Sequence, residues 1–132
     1  MQPDPERLRA IPLFVDLGES ERSRVAGWME VREATPGERL TAEGKGGYEF
    51  FVIERGAAEV VRDGTPIKQL GEGDFFGEMA MFGDGRRVAD VIATTPATLL
   101  VMFGTDFREM EAEMPEAAAT IRATMKERLS AS

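Results

Sequence analysis

The sequence predicts a mainly β fold, an antiparallel sandwich or barrel with helices at both ends. Turn-forming residues recur about every ten residues between Arg32 and Phe103, the spacing of short strands in such folds. These intervals are too short for the helices that connect the strands of a parallel sheet. Glycine supplies 14 of the 132 residues, above the usual share of about 7% and typical of a turn-rich chain.

The length of 132 residues is close to the commonest size of one domain. We therefore expect a single domain over residues 1–132, with a β region at about 31–103 and C-terminal helices at about 105–129.

The elements follow in order along the chain. Val25, Trp28 and Met29 have helical spacing behind an acidic first turn, which predicts a helix before the β region. Asp63-Gly64 separates two strand-like segments, 57–61 and 66–70. Because this dipeptide readily adopts positive φ angles, it predicts a tight hairpin there.

Two helices are expected after the last strand. Thr105 is the predicted cap of a helix over residues 106–114, and Pro115 suits the first turn of a second helix that ends near residue 129. The second helix has an apolar stripe that could be core, a lid over a pocket or a dimer seam, formed by Ala118, Ile121, Met125 and Leu129.

Composition excludes several functions. The chain has no cysteine or histidine, which removes disulfides, the usual zinc ligands and Ser-His-Asp hydrolysis. A net charge of −8 argues against direct nucleic-acid binding. The N-terminus lacks the features of a secretion signal, so we expect a cytoplasmic protein. The longest apolar run has five residues, against about 20 for a membrane span.

The segment from Gly73 to Ala89 interrupts the strand rhythm and carries the candidate chemistry. A helical turn from Gly77 to Ala80 would present unpaired backbone N–H groups to an anion. Arg87 could reach the same anion with its guanidinium group. Glu78 would repel a bare phosphate, but it suits a ligand that also offers a hydroxyl donor, such as a ribose. The sequence therefore predicts a site for a compact cyclic phosphodiester.

This segment resembles the phosphate-binding cassette of the cyclic nucleotide-binding domain family. That cassette reads roughly Phe-Gly-Glu-Leu-Ala-Leu, a short variable loop, then Arg-(Ala/Ser/Thr)-Ala, and here the sequence is Phe76-Gly77-Glu78-Met79-Ala80-Met81 with Arg87-Val88-Ala89. Other segments are similar to family landmarks: Ile11-Pro12-Leu13-Phe14, Pro36-Gly37-Glu38, Glu43-Gly44, Phe51-Val52-Ile53 with Gly56, and Phe107 with Pro115. The resemblance implies an antiparallel β jelly-roll (double-stranded β-helix) with one N-terminal and two C-terminal helices.

The resemblance also implies roles for individual residues. Arg87 would pair with the exocyclic phosphate oxygens, Glu78 would accept from the ribose 2′-OH, and backbone amides would complete the phosphate cradle. The implied ligand-binding set is Gly77, Glu78, Met79, Ala80, Arg87, Val88 and Ala89. Val60 and Ile67 are expected in the apolar pocket wall. The candidate lid residues are Ile121, Arg122 and Met125.

Two residues depart from the family pattern. Val88 stands where many members have Ala, Ser or Thr, and the missing hydroxyl favours cAMP over cGMP. Asp90 stands where a small or hydroxyl residue is common. With the alternation of a strand, its carboxylate is expected to face away from the ligand.

We expect a regulatory module, not an enzyme, that senses cAMP, or else cGMP, and needs no catalytic cofactor. Occupancy would move the C-terminal helix. Family members attach this module to an effector, but only three residues follow Leu129. The chain is therefore expected to act on a separate effector protein or to be a fragment. The alternative is a vestigial domain that has lost its ligand and serves as an interaction module, with a possible homodimer through the C-terminal helix.

Overall fold

The computed structural model describes residues 1–41, 49–78 and 89–131, with only the backbone of 129–131. The α-helices are α1 (Glu19–Ala26), α2 (Gly104–Glu113) and α3 (Pro115–Ala131). The strands among the described residues are β1 (Glu30–Ala34), β2 (Arg39–Thr41), β3 (Glu49–Arg55), β4 (Ala58–Arg62), β5 (Thr65–Leu70), β6 (Phe75–Phe76), β7 (Asp90–Ala93) and β8 (Ala97–Phe103).

These strands form two antiparallel sheets. The first sheet has the order β1-β8-β3-β6 and the second has the order β2-β7-β4-β5. Every described strand pair is antiparallel, and neighbours in each sheet are mostly distant in sequence. This arrangement confirms the expected jelly-roll with flanking helices.

The predicted hairpin is confirmed. Strands β4 and β5 pair across a two-residue turn in which Asp63 has φ 52° and Gly64 has φ 75°. Two successive positive φ angles define the mirror-image turn whose twist matches that of paired strands.

The N-terminal region is more ordered than the sequence suggested. Two short 3-10 helices, Pro5–Leu8 and Pro12–Phe14, precede α1 and bury Leu8 and Phe14. The predicted N-terminal helix exists, but it ends at Ala26, so Trp28 and Met29 follow it rather than belong to it. Met29 is nevertheless buried.

At the C-terminus the helix that begins at Pro115 is confirmed, but the cap at Thr105 is wrong. Helix α2 begins at Gly104, its N-cap is Phe103, and no side chain caps it. Strand β8 leads directly into α2 with no polar capping residue between them. Phe103, the last residue of the strand, already has the extended backbone that an N-cap position needs.

The buried apolar side chains form two clusters on opposite faces of the first sheet. The first cluster packs the helices against the outer face through Phe50, Val52, Leu100 and Met102. The second cluster fills the space between the two sheets through Phe51, Ile53, Leu99 and Val101, together with apolar residues of the second sheet. The first sheet is thus covered on both faces.

Candidate functional site

The candidate site begins where β6 ends. Phe76 is buried in the second cluster, and its ring stacks on that of Phe51 with centroids 4.7 Å apart. The next residue, Gly77, has φ 80°, a backbone conformation that side-chain-bearing residues rarely adopt. Strand β6 therefore ends before Gly77, and the chain turns at this glycine. Glu78 is the first residue after the turn.

Glu78 is half-buried and follows this turn directly. Within the described ranges its carboxylate makes no hydrogen bond or ion pair. A partly buried carboxylate without a partner retains its full capacity to accept hydrogen bonds, so a hydroxyl donor brought by a ligand would satisfy it.

The loop before β6 is fixed to β3. The amide of Gly73 donates to the Ile53 carbonyl at 2.8 Å, and the Ile53 amide donates to the Asp74 carbonyl at 2.8 Å. The Asp74 carboxylate closes the turn by accepting from the Gly71 amide at 2.8 Å. Its other oxygen, Oδ1, lies 3.3 Å from Nη2 of Arg128 in the last part of α3. The loop that leads into the cassette is therefore tied to the C-terminal helix.

The cassette ends at Ala89, which is buried. Its carbonyl accepts a hydrogen bond from Oγ1 of Thr41 at 3.2 Å, which gives the buried threonine hydroxyl a partner. The next residue, Asp90, begins β7, and its carboxylate lies 3.9 Å from Nε of Arg39. Because Val91 packs into the second cluster, strand alternation puts Asp90 on the outer face, as predicted.

Four of the implied ligand-binding residues, Met79, Ala80, Arg87 and Val88, lie outside the described residues. The structure places Gly77 and Glu78 at one end of this gap and Ala89 at the other.

The two expected wall residues have different environments. Val60 is half-buried and packs against the second cluster. Ile67 is 51% exposed, and as the extra residue at the bulge in β5 it has no partner on β4. The residue directly opposite Val60 is Lys68.

The candidate lid residues lie on α3. Ile121 and Met125 are 1% and 0% exposed and belong to the first cluster, as does Ala118. Arg122 pairs with Glu111 of α2, and its guanidinium carbon lies 5.1 Å from the centroid of the Phe107 ring. The apolar stripe could have been core, a lid or a dimer seam. In this structure Ala118, Ile121 and Met125 are part of the core.

The sequence model of the cyclic nucleotide-binding domain family matches residues 31–113, more than half of the chain. This chain belongs to that family. The match spans both described ends of the cassette and the whole of α2.

Two relatives that match this chain are longer proteins. The regulatory subunit of a cAMP-dependent protein kinase from Colletotrichum orbiculare is 40% identical over 90 residues, which cover 67% of this chain and 23% of that protein. A cyclic nucleotide-gated potassium channel from Rhizobium etli is 35% identical over 119 residues, which cover 90% of this chain and 33% of the channel. The chain thus spans about a quarter to a third of these relatives.

A solved cyclic nucleotide-binding domain from Methylobacillus flagellatus has the same fold. Its TM-score is 0.87 at 22% identity, and the alignment covers 96% of this chain and 76% of the other. Along the parts of the chain that the structure describes, no helix has the length and apolar character to cross a membrane.

Proposed function

We propose that this domain is a regulatory module that binds a cyclic nucleotide, with cAMP preferred, and catalyses no reaction. The observation that carries the proposal is the carboxylate of Glu78, half-buried, without a partner among the described residues and set directly after the left-handed turn at Gly77. A ribose 2′-OH would donate to this carboxylate, and the family cassette has glutamate at the matching place.

The phosphate would be held by the remainder of the cassette. Arg87 would pair with the exocyclic oxygens, and amides near Gly77, Ala80 and Val88 would donate to them. Because the protein carries a net charge of −8, an anionic ligand needs a local cation to be attracted to this surface. Arginine suits that role, since its planar fork can donate two hydrogen bonds to a phosphate.

The preference for cAMP is inferred from Val88. A threonine after the cassette arginine favours cGMP in some relatives, and valine has no hydroxyl to offer. The match to a regulatory subunit of a cAMP-dependent protein kinase supports the same ligand.

Calorimetric titration with cAMP, cGMP and 5′-AMP tests the proposal. A mononucleotide of some 20 heavy atoms at about 0.3 kcal/mol each gives a dissociation constant from micromolar to tens of micromolar. We expect cAMP to bind in that range, cGMP more weakly and 5′-AMP hardly at all. Arg87→Ala should reduce the binding free energy by about 2–5 kcal/mol. Binding that survives in this variant would contradict the assigned phosphate contact.

The Glu78 contact has its own control. Glu78→Gln should reduce the preference for cAMP over 2′-deoxy-cAMP, because the amide oxygen is a weaker acceptor than the carboxylate. Glu116→Gln changes an exposed glutamate on α3 by the same atoms and should keep the preference. If Glu78→Gln weakens both ligands equally, the hydroxyl contact is wrong.

Signalling would pass through α3. Moving Ile121 and Met125 over the base would take both from the first cluster, at about 1.5–3 kcal/mol for each side chain exposed. It would also break the pair between Arg122 and Glu111. That cost is a large part of the expected binding energy. We therefore infer that a ligand first shifts the last turns of α3, where Arg128 contacts Asp74, and that a separate effector protein or segment responds.

A further inference from the structure

A threonine hydroxyl lies in the apolar space between the two sheets. Within residues 1–41, 49–78 and 89–128, Thr41 is the only polar side chain that is buried. It ends β2 and lies opposite Val91, which belongs to the second cluster, and opposite residues of an antiparallel pair share a face. Burying a hydroxyl costs free energy unless it is hydrogen-bonded, whereas a valine of nearly the same shape carries no such cost. The hydroxyl therefore contributes something other than packing.

A bulge in β2 directs this side chain inwards. In the register of β2 against β7, Leu40 is an extra residue, so that Thr41 lies opposite Val91. Without the extra residue Thr41 would lie opposite Asp90, whose side chain is on the outer face. The bulge thus moves the threonine from the outer face to the inner one. Bulges are common next to functional sites, where they redirect a side chain.

The hydroxyl holds the last residue of the cassette. Oγ1 of Thr41 donates to the carbonyl of Ala89 at 3.2 Å, and both residues are buried. Ala89 directly precedes β7, so a side chain of another strand fixes the point where the cassette enters the sheet. A buried carbonyl without a partner is costly. Removing the hydroxyl would therefore favour a different position of Ala89, in which another donor satisfies the carbonyl.

The candidate phosphate contacts lie close to this point along the chain. Ala89 itself belongs to the implied ligand-binding set, and Arg87 precedes it by two residues. Two residues span at most about 7 Å, so a fixed Ala89 restricts where the backbone of Arg87 can lie. Charge-assisted hydrogen bonds to a phosphate need donor–acceptor distances of about 2.7–2.9 Å. A shift of Ala89 would therefore misalign the phosphate contacts.

We propose that Thr41 is a positioning residue of the phosphate site, whose hydroxyl holds the carbonyl of Ala89 and thereby aligns the end of the cassette with the exocyclic oxygens of the ligand. This inference rests on the proposed cyclic-nucleotide function and adds a residue that acts through Ala89 instead of touching the ligand. The alignment should determine how well the site distinguishes the two exocyclic oxygens.

Three variants and two ligand analogues test this role. Thr41→Val removes the hydroxyl and keeps the shape of the side chain, and Thr41→Ser keeps a hydroxyl. Thr98→Val is the matched control, because Thr98 is half-buried on β8 and its hydroxyl bonds to Glu33 of β1, in the other sheet. Each protein would be titrated with cAMP and with its Sp and Rp phosphorothioates, in which sulfur replaces one or the other exocyclic oxygen.

We expect Thr41→Val to weaken cAMP binding by about 3- to 10-fold, the usual effect of one hydrogen bond, and Thr41→Ser to retain most of the affinity. The ratio of the dissociation constants for the Sp and Rp analogues should move towards one by a similar factor in Thr41→Val and stay unchanged in Thr98→Val. A purely structural role would lower the fraction of folded protein, which weakens both analogues equally and leaves the ratio as it was.

Two outcomes separate this inference from the proposed function. If the unmodified protein binds cAMP but Thr41→Val keeps the ratio of the unmodified protein, or Thr41→Ser loses as much affinity as Thr41→Val, the positioning role is overturned and the proposed function stands. If the unmodified protein binds no cyclic nucleotide, both are overturned.

Discussion

The two apolar clusters differ in how completely they are closed. The first cluster is covered by the 3-10 helices, by α1 and by the two C-terminal helices, and its residues on β3 and β8 are at most 2% exposed. The second cluster lies between two sheets but loses its cover towards β5, where every residue except Leu70 is exposed.

The strands that enclose the two clusters differ in the same way. Strands β3 and β8 have helices on one face and the second sheet on the other. Because both faces are covered, the sequences of these strands are nearly continuous runs of apolar residues. Strand β5 has a covered face only at its end. The second cluster is therefore least complete at β5, whereas the helices that close the first cluster cover the sheet along β3 and β8.

Deleting the same side chain in the two regions should have very different effects. Leu100→Ala, at a fully buried position of the first cluster, is expected to lower the free energy of unfolding by about 2–5 kcal/mol. Leu40→Ala removes the same atoms from a half-buried position at the margin of the second cluster and should cost less than half as much. Urea unfolding of both variants measures the two losses, and equal losses would show that the second cluster is as closed as the first.

A smaller change in free energy is expected from the ion pair between Arg128 of α3 and Asp74 in the loop before β6. Both side chains are 37% exposed, so their ion pair contributes only about 0.2–1 kcal/mol. If ligand binding must break it, Arg128→Met should tighten cAMP binding by the corresponding factor, about 1.4- to 5-fold. Calorimetry measures the change.

The control for this prediction is Arg24→Met. Arg24 pairs with Glu113 at 2.9 Å and joins α1 to α2, away from the cassette loop. This variant should leave the affinity unchanged. Equal affinities for Arg128→Met and the unmodified protein would mean that the contact with Asp74 takes no part in the switch.

Local chemistry explains which features the sequence could predict. The turn at Asp63-Gly64 and the start of α3 at Pro115 follow from backbone preferences of the residues themselves, and Glu78 follows from its cassette. The pair between Arg128 and Asp74 joins residues 54 positions apart and depends on how the helices pack, so no local pattern indicates it. The cap at Thr105 failed because Phe103 is already extended at the end of β8.

The bulge in β5 shows why register needs the structure. The resemblance to the family placed Ile67 and Val60 together in the pocket wall, but between Lys68 and Pro66 the strand has one residue more than β4. Ile67 is that residue. A single inserted residue thus decides which side chain lies opposite Val60.

The smallest expected effect is at this bulge. Ile67→Ala should change the free energy of unfolding by less than about 0.5 kcal/mol, because the side chain is 51% exposed. Val60→Ala, which removes two half-buried methyl groups from the margin of the second cluster, should cost about 1 kcal/mol. Urea unfolding distinguishes them, and a larger loss for Ile67→Ala would mean that β5 closes the roll with Ile67.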